Sequence, residues 1–382
     1  MVVTQKEEPL KDVLQARPMS KLSDRFYSED VGKVKGRLVY FNDELFPRLS
    51  AVKEEIAKEL SLFVDWSGKN AEFEAKRLLE HGRSFSFNHV LVDKEGRVWK
   101  YIHIKGGGVS KRNILDANQP VTQGGELDEA EGLFDIEGAV ADRDSSMLFL
   151  RNGVGTSAPF MIIELREAIM KDGGRKSIED LKKEGKLPEN IRYDDEILPY
   201  RPVLYIRLFS EVMRLADATK SDYEKFAREH KMSLKEYRRW WVGREAENLA
   251  GIHELGKFHS GISDHNLTID GCIVDNDSIK SISGSDAIFD DFKYLLNVIC
   301  TTMTDSFSSE KNELPKLLLE KYLKGRRNIE GKELYELEAK FKLHSSFVGG
   351  SVYAELTKIT AREIERRFGN NSEKASGDVA WQ

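Results

Sequence analysis

His259-Ser-Gly-Ile-Ser-Asp-His-Asn266-Leu-Thr-Ile-Asp-Gly271-Cys-Ile-Val-Asp275 is the stretch on which the reading of this chain turns. A polar loop runs into two short apolar strands hinged at Gly271, each closed by a carboxylate. Such a hairpin holds Asn266 and Asp275 at one mouth. An amide oxygen beside a carboxylate is a hard-oxygen site suited to Mg²⁺ on a nucleotide phosphate. The same pattern also describes a surface hairpin with ordinary turn residues, so the rest of the chain has to decide.

The chain has 382 residues, enough for a large core divided among two or three units. It is 40% hydrophobic and 32% charged, the balance of a soluble globular protein, with a net charge of −6 and both signs well mixed. That charge argues against a general nucleic-acid binder, whose surface is basic. Two cysteines, Cys272 and Cys300, make neither a disulfide framework nor a zinc site. The start of the chain has no apolar signal core and no run is long enough to span a bilayer, so a cytoplasmic protein with no membrane partner is expected.

Periodicity predicts a strand at Arg37–Phe41, a helix over 51–64 and another helix from Phe73 to Leu79. Strands follow at 85–87, 90–92 and 98–104, the last two joined by the Asp93-Lys-Glu-Gly96 turn. Residues 112–132 read as an acidic loop, 136–151 as a helix stopped by Asn152-Gly153, and 159–164 as a strand. Residues 165–195 look like an inserted segment. From Val203 to Ala216 a helix is expected, then helices over 221–230, 233–259, 286–304, 312–324, 330–342 and 350–368, interrupted by the hairpin. The residues before about 20 and the polar tail from Gly369 are expected to be disordered. Strands first and helices second predict an α+β, two-lobed architecture.

Several residues outside the hairpin could carry chemistry. Lys105 ends an apolar strand and precedes Gly106, Gly107 and Gly108. A lysine there can project toward phosphate while the glycines let backbone N–H groups approach it, although an isolated K-G-G-G is more often a plain turn. The next helix carries Glu137, Asp142 and Asp144, any of which could fix the lysine ammonium as a kinase helix acid does, or simply face water. Arg207 and Arg214 would share one face of an otherwise apolar helix and need anionic partners, either phosphates or nearby acids. His259 is expected to orient the loop after it. Asp264 is a candidate base for a substrate hydroxyl. Protein kinases hold their metal with a catalytic-loop Asn and an Asp beyond the next strand pair, the positions of Asn266 and Asp275 here.

These pieces resemble, in order, the selenoprotein O family of kinase-like proteins that transfer AMP to protein hydroxyls. Phe26-Tyr27 and Arg37-Leu-Val-Tyr-Phe-Asn-Asp-Glu-Leu45 are similar to its F-Y … R-L-V-x-x-N-x-x-L opening. Ile104-Lys105-Gly-Gly-Gly108, with Ser110 and Arg112, resembles L-K-G-x-G-x-x-x-x-S-R. Arg207-Leu-Phe-Ser-Glu-Val-Met-Arg214 keeps the spacing of R-V-A-x-S-x-x-R, and Asn266 to Asp275 fits N-M-S-I-L-G-L-T-I-D without a gap. The resemblance runs patchily from about residue 22 to 295. It implies a protein-kinase-like fold with a strand-rich N-lobe and a helical C-lobe. The expected divisions are an N-terminal extension at 1–80, an N-lobe at 81–165, a C-lobe at 166–305 and a C-terminal helical segment at 306–382.

The resemblance also implies roles. Lys105, with Gly106 and Gly107, would meet the phosphates of ATP, an acid such as Glu137 would hold the lysine, and Arg207 and Arg214 would grip the far phosphates. Asn266 and Asp275 would bind Mg²⁺. Asp264 and Asp275 would be the catalytic acids, and the acceptor would be a protein Ser, Thr or Tyr hydroxyl. Departures are specific. The G-H-Q-F-G and G-D-G-R-A stretches lack clear counterparts, His265 stands where the family has an acid before the metal Asn, and Asp275-Asn-Asp277 replaces D-Y-G. An atypical kinase moving the γ-phosphoryl group and an inactive nucleotide-binding scaffold therefore remain as alternatives to a protein adenylyltransferase.

Overall fold

In a computed structural model the described residues are 26–78, 83–109, 132–193, 195–303, 310–345 and 348–369. The expectations for the N-terminal residues, the 112–132 loop, His81-Gly82, Ser110, Arg112 and the tail beyond Gly369 lie outside them. The chain separates into two compact units, one of residues 1–147 and 157–213, the other of 148–156 and 214–382.

The first unit is built on a nine-stranded sheet whose strands pair antiparallel. Its elements in chain order are β1 (Phe26–Lys33), β2 (Gly36–Phe41), α1 (Lys53–Leu60), β3 (Leu62–Val64), β4 (Phe73–Leu78), β5 (Ser84–Val92), β6 (Val98–Lys105) and β7 (Phe134–Asp135). Helix α2 (Ile136–Arg151) follows, then β8 (Ala158–Leu165), β9 (Glu167–Ile169), β10 (Arg175–Ser177), α3 (Ile178–Lys183), β11 (Asn190–Tyr193), β12 (Glu196–Pro199) and β13 (Pro202–Phe209). Strand order is β2-β8-β13-β6-β5-β4-β1-β3, with β7 against β13. Residues 26–64, set apart in the sequence reading as an extension, thus supply three strands to the same sheet, and 202–209 lies at its centre.

Two expected helices are strands, for different reasons. Every residue of β13 is buried, as is every residue of β8 beside it. A strand covered on both faces reads as a continuous apolar run, which periodicity cannot separate from a buried helix. Its length, Pro202 and its Val, Tyr, Ile and Phe content fit a strand. In β4, Arg77 imitates a helix's polar face, yet it lies fully buried and pairs with buried Glu29 across the register Tyr27↔Arg77. Strand β5 pairs with β6 around the Asp93–Gly96 turn as expected, with Asp93 accepting from the Glu95 and Arg97 amides.

The second unit is helical. It holds α4 (Lys220–Glu229), α5 (Leu234–Glu254), the short pair β14 (Lys257–Phe258) and β15 (Lys280–Ser281), α6 (Ser285–Val298) running on as a π-turn to Met303, α7 (Glu310–Gly325), α8 (Gly331–Leu343) and α9 (Gly350–Phe368). Capping boxes start α4 at Thr219/Asp222 and α5 at Ser233/Glu236, satisfying amides that the first turn leaves open. The whole is α+β, strand-rich first and helical second, as the order of elements predicts. Among the described residues no helix is long and apolar enough to cross a membrane.

Gly106 lies at φ +94°, and a Cβ there would come within 2.3 Å of the Val203 carbonyl oxygen. Gly96 has φ +82° with nothing within 4 Å of that point. Gly96→Ala therefore meets only backbone strain, a loss of about 1 kcal/mol, whereas Gly106→Ala adds a collision with main chain and costs at least about twice as much. Urea unfolding of both variants reads the difference; equal midpoints would contradict it.

Candidate functional site

In the first unit Lys105 closes β6, the third strand of the β4–β5–β6 meander, and is buried. Its Nζ lies 4.2 Å from the centroid of the Phe134 ring, and Arg83 approaches that ring at 5.2 Å. The glycines after Lys105 answer a packing demand. Gly106 N–H donates to the Arg83 carbonyl and Gly108 N–H to the Gly132 carbonyl, while a Cβ at Gly107 would lie 2.4 Å from the Phe85 ring. These amides are committed within the protein, so a phosphate cradle made of them is not what the K-G-G-G turn provides.

Helix α2 turns Asp142 into the core and leaves Asp144 exposed beside Arg143. Asp142 is fully buried and accepts from Tyr205 Oη at 2.9 Å, Ser146 Oγ at 3.0 Å and Arg207 Nη1 at 3.3 Å. Burial, followed by the charge of Asp142, pushes the Tyr205 hydroxyl far above its ordinary range, so it remains a donor. Glu137, in the first turn of α2, is half-buried and forms no ion pair among the described residues. Arg207 therefore projects from the central strand to a carboxylate of its own unit, one of the two kinds of partner its apolar surroundings called for. Arg207 and Arg214 do not share a helix face, because the first lies on β13 and the second in the irregular segment beyond it. Tyr205 and Ser146 were missed by sequence reasoning; the shared face of 205 and 207 on a strand would have signalled the first, and the four-residue spacing from Asp142 on a helix the second.

In the second unit the hairpin forms as expected, in miniature. Leu267 bridges Ile273, Thr268 N–H donates to the Cys272 carbonyl, and Gly271 turns the chain at φ +70°. Val274 N–H donates to the Asn266 carbonyl at 3.0 Å, which sets Asn266 beside the residue preceding Asp275. Asn266 Nδ2 donates to the Gly261 carbonyl at 2.8 Å, which turns its amide oxygen away from that bond. Asp275 sits in the left-handed region at φ 59°, a conformation Asp tolerates better than most side chains. Arg214 is buried, bridges Thr268 through its backbone and directs Nη2 to Asp275 Oδ2 at 3.4 Å. Asp264 opens a 3-10 turn reaching Asn266 and is half-buried; His265 is exposed.

The loop before the hairpin hangs on Asp291 of α6, which sequence reasoning passed over. Its buried carboxylate accepts from the His259 amide at 2.6 Å and the Ser260 amide at 3.0 Å, and it faces His253 Nε2 at 3.4 Å. His259 contacts the Val274 carbonyl at 3.3 Å, the orienting part expected of it. Asn276, next to Asp275, donates to Thr156 Oγ1 at 2.8 Å.

Among the described residues no three His, Cys, Asp or Glu side chains gather to hold a metal. Mg²⁺ commonly takes one or two protein oxygens and completes its shell with phosphate and water. Asn266 and Asp275 are the oxygen-bearing side chains at the two ends of the hairpin.

No family model matches the chain, and no curated protein is significantly similar to it. Two solved structures from Toxoplasma gondii are similar in shape. One is a specific rhoptry antigen kinase domain, 10% identical, covering 77% of this chain and 85% of its own, with a TM-score of 0.28. The other, ROP2, is described as a virulence factor with a protein-kinase fold and no enzymatic activity. It is 11% identical, covers 78% and 85%, and has a TM-score of 0.31. Within the chain a lysine ends the third strand of a meander, a helix with an inward acid follows, and an Asn–Asp hairpin lies in the helical half.

Behind the hairpin, Glu245 of α5 is fully buried. Asn248 donates to it at 3.2 Å and to the Gly271 carbonyl at 2.9 Å, and accepts from the Gly155 amide at 2.8 Å. Burial pushes the Glu245 carboxyl up to about 8, only partly opposed by the Asn248 hydrogen bond and by Arg244. The folded chain thus keeps a proton that the unfolded chain releases in the ordinary carboxylate range. Stability should fall as pH rises from about 4.5 to about 8 and level off above, by an amount on the order of a few kcal/mol. Glu245→Gln removes that slope. Unfolding midpoints at pH 5, 7 and 9 test it, and parallel curves for the two proteins would refute the protonated state.

Proposed function

We propose that this protein binds Mg-ATP and transfers AMP to protein hydroxyl groups. The observation that carries the reading is Gly261. A protein-kinase loop reads H-R-D-x-x-x-x-N, its third residue being the aspartate that accepts the acceptor's proton. Here the eight residues from His259 to Asn266 keep both ends of that loop and put glycine third. The positions for phosphate and metal are occupied by Lys105, Asn266 and Asp275. In this reading the chain handles a nucleotide without the usual device for γ-phosphoryl transfer.

In this reading Asn266 and Asp275 hold Mg²⁺, which when bound neutralises charge building on the phosphates. Arg214, buried and directed at Asp275, orients that carboxylate and adds positive charge for the phosphates. Lys105 meets phosphate, and Arg207, anchored by Asp142, supports a second contact. The acceptor oxygen attacks the α-phosphorus, the bond from that phosphorus to the bridging oxygen breaks, and pyrophosphate leaves. Asp264, in the turn before Asn266, takes the acceptor proton. A non-turnover ATP-binding scaffold is the second reading, favoured by the same Arg214–Asp275 pair, which already neutralises the metal-binding carboxylate.

Incubation with α- or γ-labelled ATP and candidate acceptor proteins separates the readings. AMP transfer moves the α label alone, and Asp275→Ala lowers incorporation at least about a hundredfold while the protein stays folded. Transfer of the γ label would establish a kinase instead. Thermal stabilisation by Mg-ATP without incorporation would leave the scaffold. Lys105→Ala and Arg214→Ala should each weaken ATP binding by about tenfold or more, since each removes a charged contact; unchanged affinity in both would remove their phosphate roles.

A further inference from the structure

The first unit carries a second cationic centre, independent of the ATP reading. Glu164 lies on β8, between β2 and β13. It stands directly opposite Arg37 on one side and Val203 on the other, and Arg201 is two residues before that valine. Arg166 follows two residues later, in the bend between β8 and β9. All three guanidinium groups close on one carboxylate. Arg37 donates through Nε at 2.9 Å and Nη2 at 2.5 Å, Arg201 through Nε at 3.0 Å, and Arg166 Nη2 lies at 3.2 Å. The carboxylate is nearly buried at 9% exposure, while the three arginines are 57%, 38% and 49% exposed.

Beside it, Glu167 accepts from the Lys35 amide and from Arg175, and Lys35 Nζ lies 3.4 Å away. Five cations thus meet two carboxylates on a protein whose net charge is −6. At Glu164 the excess is two positive charges. Burial alone would raise the Glu164 carboxyl, yet the hydrogen bonds of Arg201 and Arg37 overcome it and hold the group below its usual range, so it stays an anion. Among the described residues, Nη1 of Arg37 and of Arg166 and both Nη groups of Arg201 make no hydrogen bond. Three planar forks held in place by one buried acid, with donors to spare, form a frame for a doubly charged oxyanion.

We propose that Arg37, Arg166 and Arg201 form a docking site for a phosphorylated side chain of a partner protein. A phosphoserine or phosphothreonine carries about −1.5 to −2 charge at neutral pH, which matches the surplus at Glu164. Recognition of phosphorylated segments by arginine clusters is a recurrent solution to this problem.

The full-length chain is titrated with a labelled neutral peptide carrying one phosphoserine, and with its unphosphorylated twin, at about 0.15 M salt, where loose surface attraction is screened. The phosphopeptide should bind at least about tenfold tighter than the twin, and Arg37→Gln with Arg201→Gln should abolish the difference. Glu164→Gln should tighten phosphopeptide binding several-fold, because it frees guanidinium donors; a merely structural carboxylate would give no gain. Unfolding curves establish that each variant is folded. If the double variant is not, Arg166→Gln alone should cost at least about threefold in affinity. Equal affinity for the twin, or binding insensitive to these substitutions, overturns the proposal. So does tighter binding of anionic vesicles or single-stranded DNA through the same arginines.

Discussion

The Asp291 carboxylate fixes the loop from which the hairpin of the helical unit is hung. One buried acid on α6 takes the amides of His259 and Ser260, and it faces His253 on the long helix α5. The loop is thereby tied to two helices at its first residues. Everything downstream is measured from that anchor: the turn at Asp264, the carbonyl of Gly261 that takes the Asn266 amide, and the hairpin that brings Asn266 alongside Val274. Burial pushes the His253 imidazole below its ordinary range, against the pull of Asp291, so a neutral ring packs beside the acid. Without a partner a buried carboxylate would cost several kcal/mol. Two amides and an imidazole remove most of that cost and keep the loop in one conformation.

The strand-rich unit uses buried charge in the same manner. Arg207 with Asp142 and Arg77 with Glu29 each place a guanidinium inside a sheet otherwise filled with Val, Ile, Leu and Phe. Replacing such a pair by apolar residues is often neutral for stability, so stability alone does not explain their presence. What they do is fix register. Asp142 can be reached by Tyr205 and Arg207 together only if β13 presents alternate residues to α2, and Arg77 meets Glu29 only if β4 lies against β1 in the observed alignment. A one-residue slip would bury both charges unpaired.

Much of this was legible from the residues. Helix α2 ends where Asn152-Gly153 stops it, the Asp93–Gly96 turn joins β5 to β6, and the four helices α6–α9 follow their apolar periodicity. Lys105 at a strand end and the Asn266–Asp275 hairpin stood out because residue type and spacing there are local properties. Asp291 gave no signal, since its partners are backbone amides some thirty residues away. Gly261 is visible in the sequence, but its meaning depends on aligning the loop by both ends.

The sequence by itself determined the α+β order, the extent of helices such as α2 and α9, the turns and the polar residues available for chemistry, because each depends on neighbours within a few positions. Only tertiary structure decided that 202–209 is a central strand rather than a helix, since coverage on both faces erases the alternation that marks strands. It also decided that Asp142 turns to Arg207, that the glycines after Lys105 fill packing gaps, and that Glu164 gathers three arginines. Those facts depend on which strands lie side by side, and strand partners are chosen across the whole chain by burial and register.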